Sequence, residues 1–421
     1  MSSPTSLAQI TVQVDALAVI RDVEEGLIEA EDFWVSCYET NKSSVHGKVR
    51  VTIDDQARDR CAFVGREGVQ CKQLTKNTLQ ISCLALRISS RTVQFPARTI
   101  TLPPVPTTKT SSKLDYGITS LDVSSDGQTW AAGLGNGSVV LCAGTKGEAP
   151  SITIVHKASV SDIKLVDRNG NDWKVLSASE DFTLSLSSLS PTPSAPLRLT
   201  SHTRALTSVS LLSSSSQAVS AGKDGTLRIW DISPSSDGKH LGMIRSLGDV
   251  PINSISASSS GTIVAMALQS GCFELVDLNT KTTIYTSSTS KGALEAIALY
   301  TLSEADSRYF VVTGSRNGTI SFYVCAIRDG GVDIKDLGSC IRNGAGVSDI
   351  KLVQSKNLYP TALVTTTDGL PYHLQRSDSG EFQVLAEYAG GADCSPIRTI
   401  VESGGKVWMA GDDGVIWMYD L

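Results

Sequence analysis

The chain has 421 residues, of which 41% are apolar and 19% are charged, and its mean hydropathy is near zero. This length allows a sizeable core and two or three domains. The net charge of −6 argues against a nucleic-acid surface, which would need clustered Lys and Arg, but it leaves open an acidic patch that meets a basic protein.

The N-terminus and the cysteines indicate a soluble, intracellular protein. Met1 to Gln13 lacks a basic start followed by an apolar run, and no stretch approaches the roughly 20 apolar residues of a spanning helix. The nine cysteines are scattered and contain no Cys-x-x-Cys pair, which fits a reducing compartment better than a disulfide framework.

Residues 1–91 predict a small α+β domain. Apolar residues at helical spacing predict a helix over Ala16–Glu31, although Gly26 weakens it. Strand-like runs follow at Phe33–Tyr38, Val45–Ile53, Cys61–Val64 and Thr78–Leu86.

From Gly117 onward the chain repeats one pattern, in which a tight polar turn joins two apolar strands. The turns are Asn136-Gly137, Asp181-Phe182, Asp224-Gly225, Ser270-Gly271, Asn317-Gly318, Asp368-Gly369 and Asp413-Gly414, separated by 45, 43, 46, 47, 51 and 45 residues. Such pairs suit two-residue hairpins in which both residues have positive φ. A period in the mid-forties is typical of a β-propeller with one four-stranded blade per repeat.

The fold class predicted is therefore all-β, with residues 92–421 forming a seven-bladed propeller after the α+β domain. The chain reaches Leu421 directly after the third strand of the last repeat, so that blade needs an outer strand from elsewhere. The alternating run Thr92–Leu102 precedes the first repeat, and we expect it to complete the last blade.

The third repeat contains His202, Ser220, Asp224 and Trp230 at a spacing that resembles the WD-repeat tetrad, and Trp230-Asp231 supplies that family's dipeptide. In this tetrad a carboxylate, an imidazole, a hydroxyl and an indole satisfy one another inside a blade. The second repeat keeps His156, Ser177 and Asp181 but has Ser187 in place of the indole. The expected role of these residues is structural, because buried polar groups need partners.

The sequence contains no recognisable catalytic or cofactor motif. His46, His240 and His373 have no second His or Cys at metal-ligand spacing, and neither a Gly-x-Ser-x-Gly elbow nor a phosphate-binding loop occurs. We therefore expect no metal, no cofactor and no enzymatic activity, although a propeller active site assembled from distant loops remains an alternative.

The turns between second and third strands of a propeller share one face with the connections that lead into each first strand. The carboxylates expected on that face are Glu180, Asp181, Asp224, Asp368, Asp412 and Asp413 from the turns, and Asp115, Asp249 and Asp393 from the connections. Lys223 and Arg316 are the main opposing charges. Such a face would steer a basic partner, although Asp is also a preferred turn residue for backbone reasons.

Several short motifs resemble the proteasomal ATPase-associated factor family. In the N-terminal region they are Trp34-Val-Ser-Cys37, His46-Gly-Lys-Val49 and Leu79-Gln-Ile-Ser-Cys83, and near the end they are Gly391-Ala-Asp-Cys-Ser-Pro396 and Asp413-Gly-Val415. Ordinary WD-repeat proteins lack the N-terminal motifs, which therefore weigh most. The similarity runs over nearly the whole chain in domain order and length.

The resemblance implies a non-enzymatic assembly chaperone of the proteasome regulatory particle, located in the cytoplasm and nucleus. Members of the family bind the C-terminal domain of one ATPase subunit through an acidic propeller face. We expect a monomer whose partner-binding residues are Glu180, Asp181, Asp249, Asp368, Asp393, Asp412 and Asp413, without nucleic-acid or membrane partners. The alternative is a WD-repeat scaffold or substrate receptor, for example in a ubiquitin ligase.

Overall fold

The computed structural model describes residues 3–54, 60–102, 117–142, 150–167, 173–188, 195–213, 216–288, 292–328, 330–391 and 395–421. Within these ranges the chain is all-β, with a single α-helix near the N-terminus. No helix in the described part of the chain is long and apolar enough to cross a membrane. Asp115 and Asp393, two carboxylates expected on the acidic face, lie outside the described residues.

The N-terminal module contains one helix and nine strands. They are β1 (Thr5–Ser6), β2 (Gln9–Val12), α1 (Ala16–Glu24), β3 (Ala30–Tyr38), β4 (Val45–Ile53), β5 (Cys61–Gly65), β6 (Val69–Thr75), β7 (Thr78–Cys83), β8 (Ile88–Gln94) and β9 (Arg98–Thr101). Strands β2 to β5 form one antiparallel sheet, β6 to β8 form a second group, and α1 packs on β3, β4 and β5. One apolar cluster, running from Ile10 to Phe95, fills the space between them.

The predicted helix over Ala16–Glu31 is too long. The observed helix ends at Glu24, because Gly26 takes a left-handed φ of 71° and Leu27 beyond it is 68% exposed. Glycine adopts that conformation without steric cost, so it ends helices readily. Strand β3 then begins at Ala30, inside the range predicted as helix.

The rest of the chain forms seven groups of four antiparallel strands among the described residues, which we call sheets 1 to 7 in chain order. Five of them are separate four-stranded sheets, and sheets 5 and 6 are extended by further strands. Sheet 1 contains β10 (Ile118–Val123), β11 (Trp130–Leu134), β12 (Ser138–Cys142) and β13 (Ser151–Ile154). Sheet 2 contains β14 (Val160–Asp167), β15 (Trp173–Ser179), β16 (Thr183–Ser188) and β17 (Leu197–Thr200). Sheet 3 contains β18 (Leu206–Leu211), β19 (Gln217–Gly222), β20 (Thr226–Asp231) and β21 (Lys239–Arg245).

The later sheets follow the same order. Sheet 4 contains β22 (Ile252–Ala257), β23 (Ile263–Leu268), β24 (Phe273–Asp277) and β25 (Thr282–Thr286). Sheet 5 contains β26 (Leu294–Ser303), β27 (Arg308–Ser315), β28 (Thr319–Arg328) and β29 (Gly331–Ile341). Sheet 6 contains β30 (Val347–Val353), β31 (Thr361–Thr366), β32 (Tyr372–Arg376) and β33 (Phe382–Tyr388), and sheet 7 contains β34 (Ile397–Ser403), β35 (Lys406–Gly411), β36 (Val415–Asp420) and β9.

The sheets pack face to face in chain order. The first strand of each sheet contacts the first strand of the next, and β34 of sheet 7 contacts β10 of sheet 1. A separate apolar cluster fills each of the interfaces between consecutive sheets, including the interface between sheets 7 and 1. Second strands such as Ile263–Leu268 are buried at every position because a sheet lies on both sides.

The seven turns between second and third strands differ from the expected geometry. Only the second residue of each pair has positive φ, between 70° and 88°, so the expectation that both residues would do so is wrong. The N–H of that residue donates to the carbonyl three residues earlier, as Gly225 does to Gly222 at 3.1 Å. This is a type I turn followed by a left-handed residue, which matches the twist of the flanking strands.

The expectation of a single strand over Thr92–Leu102 is also wrong. Strand β8 ends at Gln94, and Phe95, Pro96 and Ala97 separate it from β9. Only Arg98–Thr101 pairs with the third strand of sheet 7, antiparallel, with Thr101 opposite Val415 and Arg98 opposite Met418. The boundary placed between residues 91 and 92 therefore falls inside a strand.

Strand β8 joins the N-terminal module to sheet 6. It pairs in parallel with β33, which extends sheet 6 to seven strands through β8, β7 and β6, and β1 pairs in parallel with β29 of sheet 5. Beside this junction, the buried carboxylate of Glu387 lies 2.8 Å from Arg91 and 3.0 Å from Arg342. The module is thus joined to sheets 5 and 6 by strand pairing.

Candidate interaction surface

The side of the molecule that carries the seven turns between second and third strands is called the turn face below. On this face, the first residue of each turn uses its side chain to hold the turn itself. Its side-chain oxygen accepts a hydrogen bond from the N–H two residues later, as Asp224 does from Thr226 at 3.1 Å and Asp413 from Val415 at 3.2 Å. The same bond occurs at Asn136, Asp181, Ser270, Asn317 and Asp368.

In sheet 3 the structure brings the four tetrad residues together. The Nδ1 atom of His202 lies 3.0 Å from the Asp224 carboxylate, and its Nε2 atom lies 2.8 Å from Ser220 Oγ. The indole N–H of Trp230 donates to the same hydroxyl at 2.9 Å. Burial alone would raise the pKa of Asp224, but hydrogen bonds from His202, Thr203 N–H and Thr226 hold that pKa well below its usual range.

Sheet 2 carries an incomplete version of this network. His156 lies 2.8 Å from Ser177 Oγ and 3.2 Å from the Asp181 carboxylate. Burial lowers the pKa of His156. Ser187 stands where sheet 3 has Trp230, and its buried hydroxyl has no hydrogen-bond partner among the described residues. The network still joins the turn to the strands, so Asp181 is a structural residue in this chain.

The remaining carboxylates predicted from the turns also have partners within the molecule. Asp368 accepts hydrogen bonds from Asn343 and Thr366, and Asp412 forms a two-point ion pair with Arg398 at 2.7 and 2.8 Å. Asp413 accepts the indole N–H of Trp417 at 2.9 Å, and burial raises its pKa. These three carboxylates are therefore less available to a partner than their sequence positions indicate.

Two predicted carboxylates are well exposed. Asp249, in the connection into sheet 4, is 63% exposed and pairs with Arg245 at 2.8 Å. Glu180, in the turn of sheet 2, is exposed and interacts electrostatically with Lys223 of the neighbouring turn. Arg316 pairs with Glu295. The turn face therefore carries both carboxylates and cations, and Glu180 and Asp249 are accessible acidic groups among its described residues.

The sequence reasoning missed a ring of polar side chains on the first strands. These strands surround a cavity of about 440 Å³ at the centre of the seven sheets. Asp122 accepts a hydrogen bond from the N–H of Leu165 in the next sheet at 2.7 Å, and Asp349 accepts one from Ile400 at 3.1 Å. Such bonds tie neighbouring sheets together at the edge where no further strand can pair.

A second set of polar side chains on the first strands donates hydrogen bonds to backbone carbonyls of the next sheet. Thr119 donates to the carbonyl of Val160, Thr207 to that of Ile252 at 2.8 Å, and Asn253 to that of Leu294 at 2.7 Å. Each donor lies at the irregularity near the start of a first strand, where the pairing register shifts by one residue. A polar residue following the first apolar residue of each repeat is the signal that could have revealed this ring.

The cavity also contains charge. The Nζ atom of Lys164 lies 3.0 Å from Asp162. Burial by itself would lower the pKa of Lys164, but the carboxylates of Asp162, Asp122 and Asp349 together raise it above its usual value. Burial raises the pKa of Asp122 and of Asp349. Among the described residues, no group of three or more His, Cys, Asp or Glu side chains could hold a metal ion.

Sheet 3 carries a WD40 repeat, and such repeats indicate a protein-interaction scaffold. Residues 195–231, which include the tetrad of sheet 3, match the family model of the WD domain, G-beta repeat. Comparison with the curated proteins gives no match. Proteins built from WD40 repeats are generally non-enzymatic scaffolds.

Proposed function

We propose that the seven sheets form a closed seven-bladed WD-repeat propeller that serves as a rigid docking platform. Three observations support the closed ring: the packing of consecutive first strands, the contact of β34 with β10, and the pairing of β9 with β36. A closed sheet ring leaves no first-to-last edge exposed, which favours a soluble platform over an aggregating one.

The specific function proposed is that of a non-enzymatic assembly chaperone of the proteasome regulatory particle, acting in the cytoplasm and nucleus. The observation that carries it is the setting of the three N-terminal motifs, Trp34–Cys37, His46–Val49 and Leu79–Cys83. They lie on strands β3, β4 and β7 around one apolar core, in a module that is continuous with sheet 6. A plain WD-repeat ring does not need this module.

The proposed partner is the C-terminal domain of one ATPase subunit, held against the turn face until the ATPase ring and the core particle meet. Of the carboxylates expected to bind it, Glu180 and Asp249 are accessible to a basic surface. Asp181, Asp368 and Asp413 each stabilise the turn in which they lie, and Asp412 is paired with Arg398. Asp393 is expected to add to the same face. Charge of this kind speeds encounter and sets orientation more than it adds affinity.

Affinity purification of the full chain from cell extract tests the proposal. The expected result is recovery of free ATPase subunits and their subassemblies, without the core particle. Recovery of complete active proteasomes only, or of no proteasome subunit, would contradict it. Recovery of ubiquitin-ligase subunits would instead favour the alternative, a WD-repeat substrate receptor. A reciprocal purification through the recovered ATPase subunit is the control for capture after lysis.

A further inference from the structure

Phe182 occupies a position in the turn of sheet 2 that is glycine in the other six turns. Its φ of 72° matches those of Gly137, Gly225 and the other turn glycines, and its side chain is 47% exposed. A bulky residue in the left-handed region is sterically unfavourable, whereas glycine adopts it freely. Exposure of an aromatic ring to water is also unfavourable. Both effects oppose stability.

The turn does not require this side chain. The backbone N–H of Phe182 donates to Ser179 O at 3.2 Å, the bond that glycine makes in the other turns, and Asp181 holds the loop through Thr183 and His156. Glycine would keep every one of these contacts. Residues held in unfavourable backbone conformations cluster at functional sites, so the ring of Phe182 calls for a functional reason.

A second apolar side chain projects from the same face. Leu247, in the connection into sheet 4, is 69% exposed. Its backbone is fixed, because its N–H donates to the fully buried Glu274 at 3.0 Å. The connection also lies directly on the turn of sheet 3, where a Cβ added at Gly225 would come within 2.7 Å of the Asp249 backbone. Asp249 itself has a φ of 53°.

These two side chains flank the turn of sheet 3, and each has an exposed carboxylate nearby in sequence. Glu180 lies two residues before Phe182, and Asp249 lies two residues after Leu247. Sheets 2 and 3 pack directly on each other, so their turns are neighbours on this face. Leu358, a large apolar side chain that is 63% exposed, lies instead in the connection between the first and second strands of sheet 6.

We infer that Phe182 and Leu247 are the apolar anchors of a protein-docking surface, and that the partner presents apolar pockets bordered by Lys or Arg. Aromatic anchors at the centre of an interface contribute most of the binding energy, while surrounding charges orient the partner. The identity of the partner rests on the proposed function, whereas the docking surface is inferred only from residues of this chain.

The experiment places a photo-crosslinking amino acid, p-benzoyl-phenylalanine, at position 182 of the full chain in cells, with position 358 as the matched control. Adducts are identified and the crosslinked site is mapped by mass spectrometry. The affinity of the identified protein is then measured for the wild type and for Phe182→Gly, Leu247→Ser and Leu358→Ser, together with the melting temperature of each.

The inference predicts an adduct at position 182 but not at 358, on a surface bordered by Lys or Arg. Phe182→Gly should lower affinity about tenfold or more while the melting temperature stays the same or rises, because glycine relieves the backbone strain. Leu247→Ser should also weaken binding, and Leu358→Ser should leave it within about twofold. These variants also separate a binding role from a folding role.

The absence of an adduct at 182, or unchanged affinity in both Phe182→Gly and Leu247→Ser, would overturn the inference. An adduct with a basic surface of a protein other than a proteasome ATPase, accompanied by the loss of affinity, would uphold the docking surface and contradict the proposed function.

Discussion

The carboxylate of Asp162 accepts a hydrogen bond from the backbone N–H of Val209, 2.8 Å away in the next sheet. It also accepts one from Ser208 Oγ at 2.9 Å and pairs with Lys164. A single side chain thus joins two sheets at the wall of the central cavity. Sequence positions 162 and 209 belong to different repeats, so this bond stabilises the packing of two sheets and not one hairpin.

Removing this carboxylate should therefore destabilise the protein strongly. We expect Asp162→Ala to lower the free energy of unfolding by about 2–4 kcal/mol, because it leaves a buried N–H and the Lys164 ammonium without their acceptor. Asp162→Asn should cost about 1 kcal/mol, since an amide oxygen can still accept from Val209. Urea denaturation measures both, with the exposed Asp237→Ala as control. Equal stability of Asp162→Ala and the control would show that the bond between sheets is unimportant.

Strand β9 gives a second prediction from two adjacent residues. Ile100 packs into the apolar cluster between sheets 1 and 7, whereas Thr99 is exposed. Ile100→Asp should lower the free energy of unfolding by about 2–4 kcal/mol, because a carboxylate would enter an apolar interface. Thr99→Asp adds the same charge on the other side of the strand and should change it by less than about 0.5 kcal/mol. Thermal unfolding of the two variants is the measurement, and similar melting temperatures would argue against the packing of β9 on sheet 7.

His373 predicts how stability depends on pH. Burial lowers the pKa of His373 from 6.5 to about 4 in the folded protein, where its Nε2 atom lies 2.7 Å from Thr361. The unfolded chain therefore takes up a proton at this site at higher pH than the folded chain does. The contribution of His373 to the free energy of unfolding is therefore complete above about pH 6.5 and is lost as the pH falls toward 4.

Denaturation at pH 7.5 and at pH 4.5 tests this dependence. The wild type should lose about 2–3 kcal/mol through this residue over that interval. His373→Gln should lose correspondingly less, and the exposed His46→Gln should behave like the wild type. A pH dependence that is the same in all three proteins would rule out His373 as the titrating group.

Buried charge at the junction of sheet 6 and the N-terminal module gives a further prediction. Glu387 is 2% exposed, Arg342 5% and Arg91 9%, and Glu387 also accepts the N–H of Ile10 at 3.2 Å. Glu387→Ala should lower the free energy of unfolding by about 3–5 kcal/mol, because it leaves two buried guanidinium groups without their carboxylate partner. The triple variant Arg91→Met, Glu387→Leu, Arg342→Met removes every charge at once and should recover much of that loss. Calorimetry of the two variants measures their stability. A triple variant no more stable than Glu387→Ala would refute the explanation that unpaired buried charge causes the loss.

The accessible carboxylates of the turn face predict a salt-dependent interaction. Glu180→Lys combined with Asp249→Lys should slow association with the recovered ATPase subunit about tenfold at low salt, and by less at high salt because screening weakens steering. Asp333→Lys combined with Glu381→Lys makes the same change in net charge at exposed positions away from the turns and is the matched control. Stopped-flow association rates across ionic strengths provide the test. Equal rates for both double variants would remove the electrostatic part of the proposal.

Local sequence was sufficient to locate the repeating strands and their turns, although not to give the backbone geometry of the turns. Turn pairs, most of them Asn-Gly or Asp-Gly, occur between apolar strands every 43 to 51 residues. Each turn and its two flanking strands are recognisable from adjacent residues, and the spacing follows from one four-stranded unit per repeat. The tetrad of sheet 3 was also readable, because its four side chains lie within one repeat, between His202 and Trp230. Stretches of this kind carry their structural information in neighbouring residues.

Tertiary structure decided what those residues do. Asp181 and Asp412 were predicted as binding groups, but the structure engages Asp181 with His156 and Asp412 with Arg398. The run Thr92–Leu102 is divided between two strands because its start pairs with β33 and its end pairs with β36, both distant in sequence. The bonds that Asp122, Asp162 and Asp349 accept at the cavity wall involve partners 43 to 51 residues away in the next sheet. No local pattern encodes such a partner, because the free energy of a buried polar group depends on what the folded chain places opposite it.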